Sequence, residues 1–163
     1  MTMITDPMAT RRYRDEELAA FEERIGIRLP SSYKAYLVQV GAGEFTGSKV
    51  SLLEEWCQPY SEEELPSTFL STPFAFREAW NDRTLIDPAL GWRAPYYDKL
   101  LFRGAMRIVN VGCETYYLLV VSGAEAGNMW CDDRAGTQSG IFPLSVLGRR
   151  ATFEDYIQNP DAF

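Results

Sequence analysis

One cysteine and three carboxylates near the middle of the chain could carry chemistry. Cys113 and Glu114 lie in a Gly-Cys-Glu turn between two hydrophobic runs, and Asp132 and Asp133 follow a third run. Two carboxylates about 5–10 Å apart can cleave a glycosidic bond, and a cysteine on a turn can be a reactive thiol. A glycosidase also needs a deep cleft and a desolvated acid, whereas carboxylates at turns are ordinarily solvated. Catalysis by these groups is therefore the minor alternative.

Metal binding is also weakly supported by the sequence. Asp132, Asp133 and a loop carbonyl near Gly136 could bind calcium, but their spacing matches no calcium-binding loop. The cysteines match no zinc motif and are predicted to be reduced thiols. They are Cys57, Cys113 and Cys131.

The chain contains no histidine, and this excludes several common enzyme designs. Serine or cysteine catalysis with an imidazole base, His-ligated metals and the usual acid/base group near neutral pH all require that side chain. We predict that the protein is not an enzyme and that it has no metal and no cofactor.

The four side chains are positioned by a predicted sheet meander. Three runs rich in β-branched and aromatic residues, at 106–111, 115–121 and 128–131, are separated by spacers too short for parallel crossovers. Residues 116–121 are apolar on both strand faces, so this run is predicted to be the central strand, covered on both sides. Strand directions then bring Glu114, Asp132 and Asp133 to one edge of the sheet.

Helices are predicted on both sides of the meander in the sequence. The first ends at Gly26, the second begins near Pro30, and a third is capped by Thr152. The apolar stripes of the first two comprise Leu18, Phe21 and Ile25, and then Tyr33, Tyr36, Leu37 and Val40. Residues 141–147 are predicted to end in a short helix. The fold class is α+β, with an antiparallel or mixed β-sheet on which an N-terminal helical hairpin and a C-terminal helix pack.

Residues 44–103 show no clear periodicity and are predicted to be largely irregular. Between residues 54 and 64 the chain has five acids and no basic residue. They are Glu54, Glu55, Glu62, Glu63 and Glu64. Trp80 and Trp92 lie in an aromatic stretch with Asp, Pro and Gly, where they either anchor a partner or cover a sheet edge.

Composition and charge limit the class of partner. The 163 residues carry a net charge of −7, which opposes nucleic-acid binding and favours a basic protein partner. No apolar stretch approaches the roughly 20 residues of a membrane helix, and no secretory signal is found. We expect a cytoplasmic protein with one domain over residues 10–163. Residues 1–9 are expected to be an expression-vector leader or a disordered N-terminus.

Residues 21–37, Phe-Glu-Glu-Arg-Ile-Gly-Ile-Arg-Leu-Pro-Ser-Ser-Tyr-Lys-Ala-Tyr-Leu, are followed by a glycine-rich stop. This stretch resembles the N-terminal signature of the SUKH superfamily, which includes Smi/Knr-type fungal cell-wall-synthesis regulators and many bacterial immunity proteins. Later segments agree in order: hydrophobic strands at 104–111 and 116–121, a Gly-x-x-Trp-x-x-Asp stretch at 127–133, and a closing helix at 152–157.

The resemblance implies a protein-binding module, most often an immunity protein that neutralises a cognate bacterial toxin by direct binding. The acidic surface would favour a basic toxin domain. The candidate partner-binding residues are Glu54, Glu55, Glu62, Glu63, Glu64, Trp80, Trp92, Glu114, Asp132 and Asp133. One alternative is a regulatory interaction protein of the Smi/Knr type with a non-toxin partner. The other is an enzyme that uses Cys113 or the three carboxylates.

Overall fold

The computed structural model describes residues 11–43 and 50–163. The α-helices are α1 (Asp15–Ile25), α2 (Ser31–Gln39) and α3 (Phe153–Gln158). The strands are β1 (Ala105–Gly112), β2 (Thr115–Val120), β3 (Met129–Asp133), β4 (Gly140–Pro143), β5 (Ser145–Val146) and β6 (Arg149–Arg150). Short 3-10 helices span Leu53–Glu55, Glu62–Glu64, Arg83–Leu85, Gly91–Arg93, Pro95–Tyr97, Lys99–Phe102 and Pro160–Ala162. Among these helices none has the length and apolar character needed to cross a membrane.

The main sheet is antiparallel, with the strand order β1-β2-β3-β4. The predicted meander is confirmed, and β2 lies inside the sheet. Leu118, Leu119 and Val120 are fully buried, because both faces of β2 are covered. The β1–β2 turn is two residues long, and both Cys113 (φ 51°) and Glu114 (φ 61°) adopt the left-handed conformation that a tight hairpin turn of this kind requires.

The helices cover one face of the sheet, as predicted. Tyr33 of α2 contacts Phe153 of α3 edge-on, with 5.2 Å between ring centroids. Tyr156 of α3 in turn packs against Tyr117 of β2 at 5.8 Å. The first helix ends at Gly26 in the left-handed conformation (φ 77°), where the sequence predicted its stop. The fold is therefore α+β, with the helical hairpin and the C-terminal helix sharing one hydrophobic core with the sheet.

The irregular segment between α2 and β1 covers the opposite face. Register places Arg107, Leu118 and Trp130 on this face, since they lie opposite one another on neighbouring strands. Phe74 packs on Trp130 with 5.0 Å between centroids, and Phe102 packs against Arg107. The sheet is therefore a middle layer between the helices and this irregular segment, of which residues 50–104 are described and are called the 3-10 segment below.

The described part of this segment forms a backbone bridge to each outer strand of the sheet. Val50 bridges Val109 of β1, and Trp80 bridges Ile141 of β4. The Trp80 N–H donates to the Ile141 carbonyl at 2.8 Å, and the reverse bond has the same length. For Trp80 this supports the edge-covering alternative.

The prediction that residues 141–147 end in a short helix is wrong. Gly140–Pro143 forms β4 beside β3, and Ser145–Val146 pairs with Arg149–Arg150 in a small hairpin. Pro143 is tolerated because it ends an outer strand, where its missing N–H breaks no ladder. All residues of β3 are buried, and β4 supplies the strand that pairs with its outer edge.

Candidate functional site

A pocket of about 280 Å³ lies at the end of the sheet where β2 begins and β3 ends. Its lining joins the sheet to the 3-10 segment and combines aromatic with charged side chains. The lining residues are Pro59, Tyr60, Trp92, Tyr97, Arg107, Glu114, Tyr116, Asp132, Arg134 and Ala135. Three of them, Trp92, Glu114 and Asp132, belong to the binding residues predicted from the sequence.

The base of the pocket is a buried cluster of three charged side chains. Asp132 is 2% exposed, Arg134 3% and Arg107 7%. Arg134 donates from Nε to Asp132 Oδ1 at 2.8 Å and from Nη2 to Oδ2 at 2.8 Å. Arg107 donates from Nη2 to the same Oδ2 at 3.0 Å. One carboxylate is therefore shared by two guanidinium groups, which leaves one excess positive charge.

Arg107 is held in place by aromatic rings. Its guanidinium carbon lies 4.3 Å from the ring centroid of Phe102 and 4.3 Å from that of Tyr116. At these distances the positive charge is attracted to the electron-rich faces of both rings. Its Nη1 donates to the Gln58 carbonyl at 2.8 Å. Within the described residues its buried Nε has no hydrogen-bond acceptor.

Arg134 connects the sheet to the 3-10 segment. Its Nη1 donates to the carbonyl oxygens of Tyr96 at 3.2 Å and Asp98 at 2.7 Å. These carbonyls belong to the turns that carry the aromatic walls of the pocket. Arg134 thus fixes the walls relative to the base.

The two arginines determine the protonation state of Asp132. Burial alone would raise the pKa of this carboxyl, but the hydrogen bonds from Arg134 and the charges of Arg134 and Arg107 outweigh burial and lower the pKa below its usual value. Asp132 is thus a carboxylate at neutral pH. A general acid needs the opposite shift, so this environment does not suit Asp132 as a proton donor.

Asp133 points to the other face of the sheet and is bound by neutral groups. It accepts hydrogen bonds from the Thr115 hydroxyl at 2.6 Å, from the Thr137 N–H at 3.1 Å and from the Thr137 hydroxyl. Burial would raise its pKa, but these hydrogen bonds lower it. Asp133 is only 8% exposed.

The expectation of an acidic surface formed by three solvated carboxylates at this edge is wrong for Asp132 and Asp133, which are buried. Their polar atoms are satisfied internally, as burial of charge requires. Glu114 is exposed, as expected, and lies at the rim of the pocket. Whether the two aspartates contribute to partner binding stays a prediction.

The acidic stretch of residues 54–64 is partly neutralised by the first helix and its flank. Glu54 forms a salt bridge with Arg11 and accepts a hydrogen bond of 2.8 Å from the Tyr13 hydroxyl. Glu62 pairs with Arg24, and the hydrogen bond from Arg24 is the largest cause that lowers its pKa.

The other three glutamates of this stretch make no salt bridge within the described residues. Glu55 accepts the Leu52 N–H, and Glu64 accepts the Ser61 N–H at 2.7 Å. Glu63 is exposed. Free negative charge therefore remains at Glu55, Glu63 and Glu64.

Trp92 and Trp80 have different surroundings. Trp92 is 65% exposed, and its ring contacts Tyr97 at 4.8 Å between centroids, beside the pocket. Trp80 is half-buried and stacks on Tyr96 at 5.5 Å, away from the pocket lining. Of the two predicted anchors, Trp92 has the exposure that contact with a partner requires.

The cysteines are free, and two of them are buried. Burial raises the pKa of Cys57 to about 11 and that of Cys131 to about 12, so neither is a thiolate at neutral pH. Cys113 is exposed in the β1–β2 turn. Across residues 11–43 and 50–163, no group of three or more cysteine or acidic side chains could hold a metal ion.

Sequence reasoning missed the two arginines and the tyrosines that complete the site. A signal was present for Arg107, because a charged residue inside an otherwise apolar strand run must find a buried partner. Arg134 directly follows two aspartates, and arginine binds a carboxylate with two parallel hydrogen bonds. Tyr60 and Tyr97 lie in the irregular segment, where periodicity gives no information.

The chain matches the model of the SMI1 / KNR4 family (SUKH-1) over residues 13–159. The match covers most of the chain, so the protein belongs to this family, which is consistent with a role in protein interaction. Searches of curated proteins and of solved structures found no match.

Proposed function

We propose that this protein is an immunity protein that neutralises a cognate bacterial toxin by binding it directly. The observation that carries the proposal is Trp92, a large aromatic side chain that is 65% exposed at the rim of a pocket. Tryptophan is enriched among the residues that dominate binding energy at protein interfaces. Family membership supports a binding role, and we place the protein in the cytoplasm, where three free cysteines stay reduced.

The partner we propose is a basic toxin domain. The chain carries a net charge of −7, and Glu55, Glu63 and Glu64 form no salt bridge within the described residues. Such a surface raises the association rate with a positively charged protein and disfavours nucleic acid.

We also propose that the protein acts without catalysis. Asp132 and Asp133 both have lowered pKa values, whereas a carboxyl that donates a proton near neutral pH needs a raised pKa. Buried Cys57 and Cys131 are protonated, so Cys113 is the remaining candidate nucleophile. Replacement of Cys113 by Ser should leave protection against the toxin unchanged.

The test uses the polypeptide encoded directly upstream of this chain's gene, where the toxin of an immunity protein is expected. Its C-terminal domain is expressed alone and together with this chain, and growth is measured. We expect growth arrest that co-expression relieves, and a 1:1 complex on gel filtration. Arrest that co-expression does not relieve, or no complex between the purified proteins, would contradict the proposal and favour a regulatory role with another partner.

Two variants then test the surface. Trp92→Ala should weaken the complex by about tenfold or more, mainly through faster dissociation. The double reversal Glu63→Lys/Glu64→Lys should slow association at low salt, with a smaller effect at high salt. The control, Glu154→Lys/Asp161→Lys, changes the net charge equally but lies in α3 and the turn after it. Equal slowing by both double variants would show that net charge alone, and not this surface, controls association.

A further inference from the structure

We infer that the pocket binds a carboxylate of the protein partner, either an acidic side chain or the chain's C-terminus. This inference rests on the proposed function, because it names the group by which the toxin is anchored. The partner would be basic overall but would insert an acid at this point. The observations are the charge of the pocket base, its unused hydrogen-bond donors and the nature of its walls.

The base of the pocket is positive although the protein as a whole is negative. Two guanidinium groups share the single carboxylate of Asp132, and all three side chains are more than nine-tenths buried. The excess positive charge is thus poorly solvated. Lys99 lies outside the lining, with its Nζ 5.4 Å from the Tyr60 ring, and its charge interacts with that of Glu64. Coulomb interactions are strongest in such a partly desolvated site, so an entering anion would be attracted.

Donors for that anion remain on both arginines. A guanidinium has five N–H donors. For Arg107, the described residues provide acceptors at Nη1 and Nη2 only, and the buried Nε has none. Arg134 uses Nε, both hydrogens of Nη1 and one of the two on Nη2. The Arg107 Nε is fully buried, so a ligand oxygen reaches it only when the aromatic walls move; because an unpaired buried N–H is costly, that contact would be stabilising.

The walls suit the apolar stem that precedes such a carboxylate. Tyr60, Tyr97 and Tyr116 are half-buried, and Trp92 is exposed at the rim. The volume of about 280 Å³ lies just below the range of small-molecule sites, about 300–1,000 Å³. Family membership and the exposed Trp92 at the rim support protein binding, so we assign the occupant to a polypeptide and not to a free metabolite.

Removal of the Glu114 charge tests the inference, because a carboxylate ligand and a basic ligand predict opposite effects on binding. This exposed side chain lines the pocket beside the positive base. If a basic group of the partner bound here, removal of the Glu114 charge would weaken binding. If a carboxylate enters, removal of the same charge relieves repulsion and strengthens binding.

The first experiment needs no toxin. Benzoate is titrated into the full chain, and binding is followed by tryptophan fluorescence and by the NMR signal of the Arg107 Nε–H. We expect saturable binding in the millimolar range and a shift of that signal, whereas the uncharged isostere benzamide should bind at least tenfold more weakly. Equal binding of the two compounds, or no saturable binding of benzoate, would overturn the inference. A cluster with a purely structural role would leave the Arg107 signal unchanged.

Variants then locate the site. Glu114→Gln should tighten benzoate binding about two- to fivefold, as expected for removal of one nearby like charge in a partly solvated site. Trp92→Ala should weaken it, and Glu23→Gln, an exposed acid on α1, should leave it unchanged. Weaker benzoate binding by Glu114→Gln would contradict the inference.

The second experiment uses the toxin complex. Glu114→Gln should also strengthen that complex, and neutralisation of one acidic residue or the C-terminal carboxylate of the toxin should abolish the gain. If benzoate binds but no toxin complex forms, the pocket stands and the proposed function fails. If the toxin binds but benzoate does not, the function stands and this inference fails. If benzoate binds but Glu114→Gln leaves the affinity for the toxin unchanged, the pocket binds a free metabolite, and the choice of a polypeptide as occupant is overturned.

Discussion

Replacement of Asp132 by Asn should destabilise the protein severely, because it removes the carboxylate that Arg107 and Arg134 share in the buried cluster. Removing one member of a buried ion pair costs about 3–5 kcal/mol, since the remaining charge stays buried and uncompensated. Total stabilities are only about 5–15 kcal/mol. With a slope of about 2 kcal/mol/M, the urea midpoint of unfolding, followed by tryptophan fluorescence, should fall by about 1.5–2.5 M.

Asp133→Asn is the matched control. Both aspartates are buried neighbours on β3, but Asp133 accepts hydrogen bonds from threonine groups and not from arginines. The control should cost only about 1–2 kcal/mol, because its loss leaves neutral donors unpaired and no buried charge. An Asp132→Asn variant no less stable than Asp133→Asn would refute the account of the cluster.

The pH dependence provides a second check of the same account. The folded-state pKa of Asp132 is lowered, so the carboxylate contributes its full stability above its unfolded-state pKa of about 3.9 and loses it as the pH falls through the folded-state pKa. The difference in unfolding free energy between the wild type and Asp132→Asn should therefore be constant near neutral pH and shrink in acid. A difference that did not shrink would show that it does not come from the charge.

Three further predictions concern stability and reactivity. Gly140→Ala should destabilise the protein by more than about 2 kcal/mol in thermal unfolding, because φ is +84° and a Cβ would lie 2.1 Å from the Trp80 carbonyl oxygen. The control is Gly148→Ala, where φ is +77° but a Cβ would meet nothing within 4 Å. It should cost about 1–2 kcal/mol. Thr152→Ala should cost about 1 kcal/mol in urea unfolding, since the Thr152 hydroxyl caps α3. Ellman's reagent at pH 8 should modify only Cys113 in the native protein and all three cysteines after unfolding, because the other two are buried; a second fast-reacting thiol in the native state would contradict this.

The regular elements were predictable from the sequence, because a single physical pattern determines each of them. The run at 116–121 is apolar on both faces and became the covered strand β2. Helix spacing and the following Gly26 predicted α1 and its end. β4 was missed because four residues that contain a proline do not differ from a helix start by periodicity alone.

The candidate site was predictable only in part. Sequence direction brought Glu114 and Asp132 to one end of the sheet, and the structure places both in the pocket. The burial of the Asp132 side chain could not be predicted, since it depends on which residues distant in the sequence pack against the carboxylate. Arg107 lies 25 residues from Asp132 along the chain, and no local pattern encodes their contact.

The bridges at Val50 and Trp80 have a consequence for assembly. A sheet whose outer strands expose free N–H and carbonyl groups can recruit an extended segment of another molecule, which leads to strand addition or fibrils. Here Val109 and Ile141 already pair with the chain's own backbone. At these positions a foreign strand finds the ladder occupied, so the chain's own backbone blocks strand addition there.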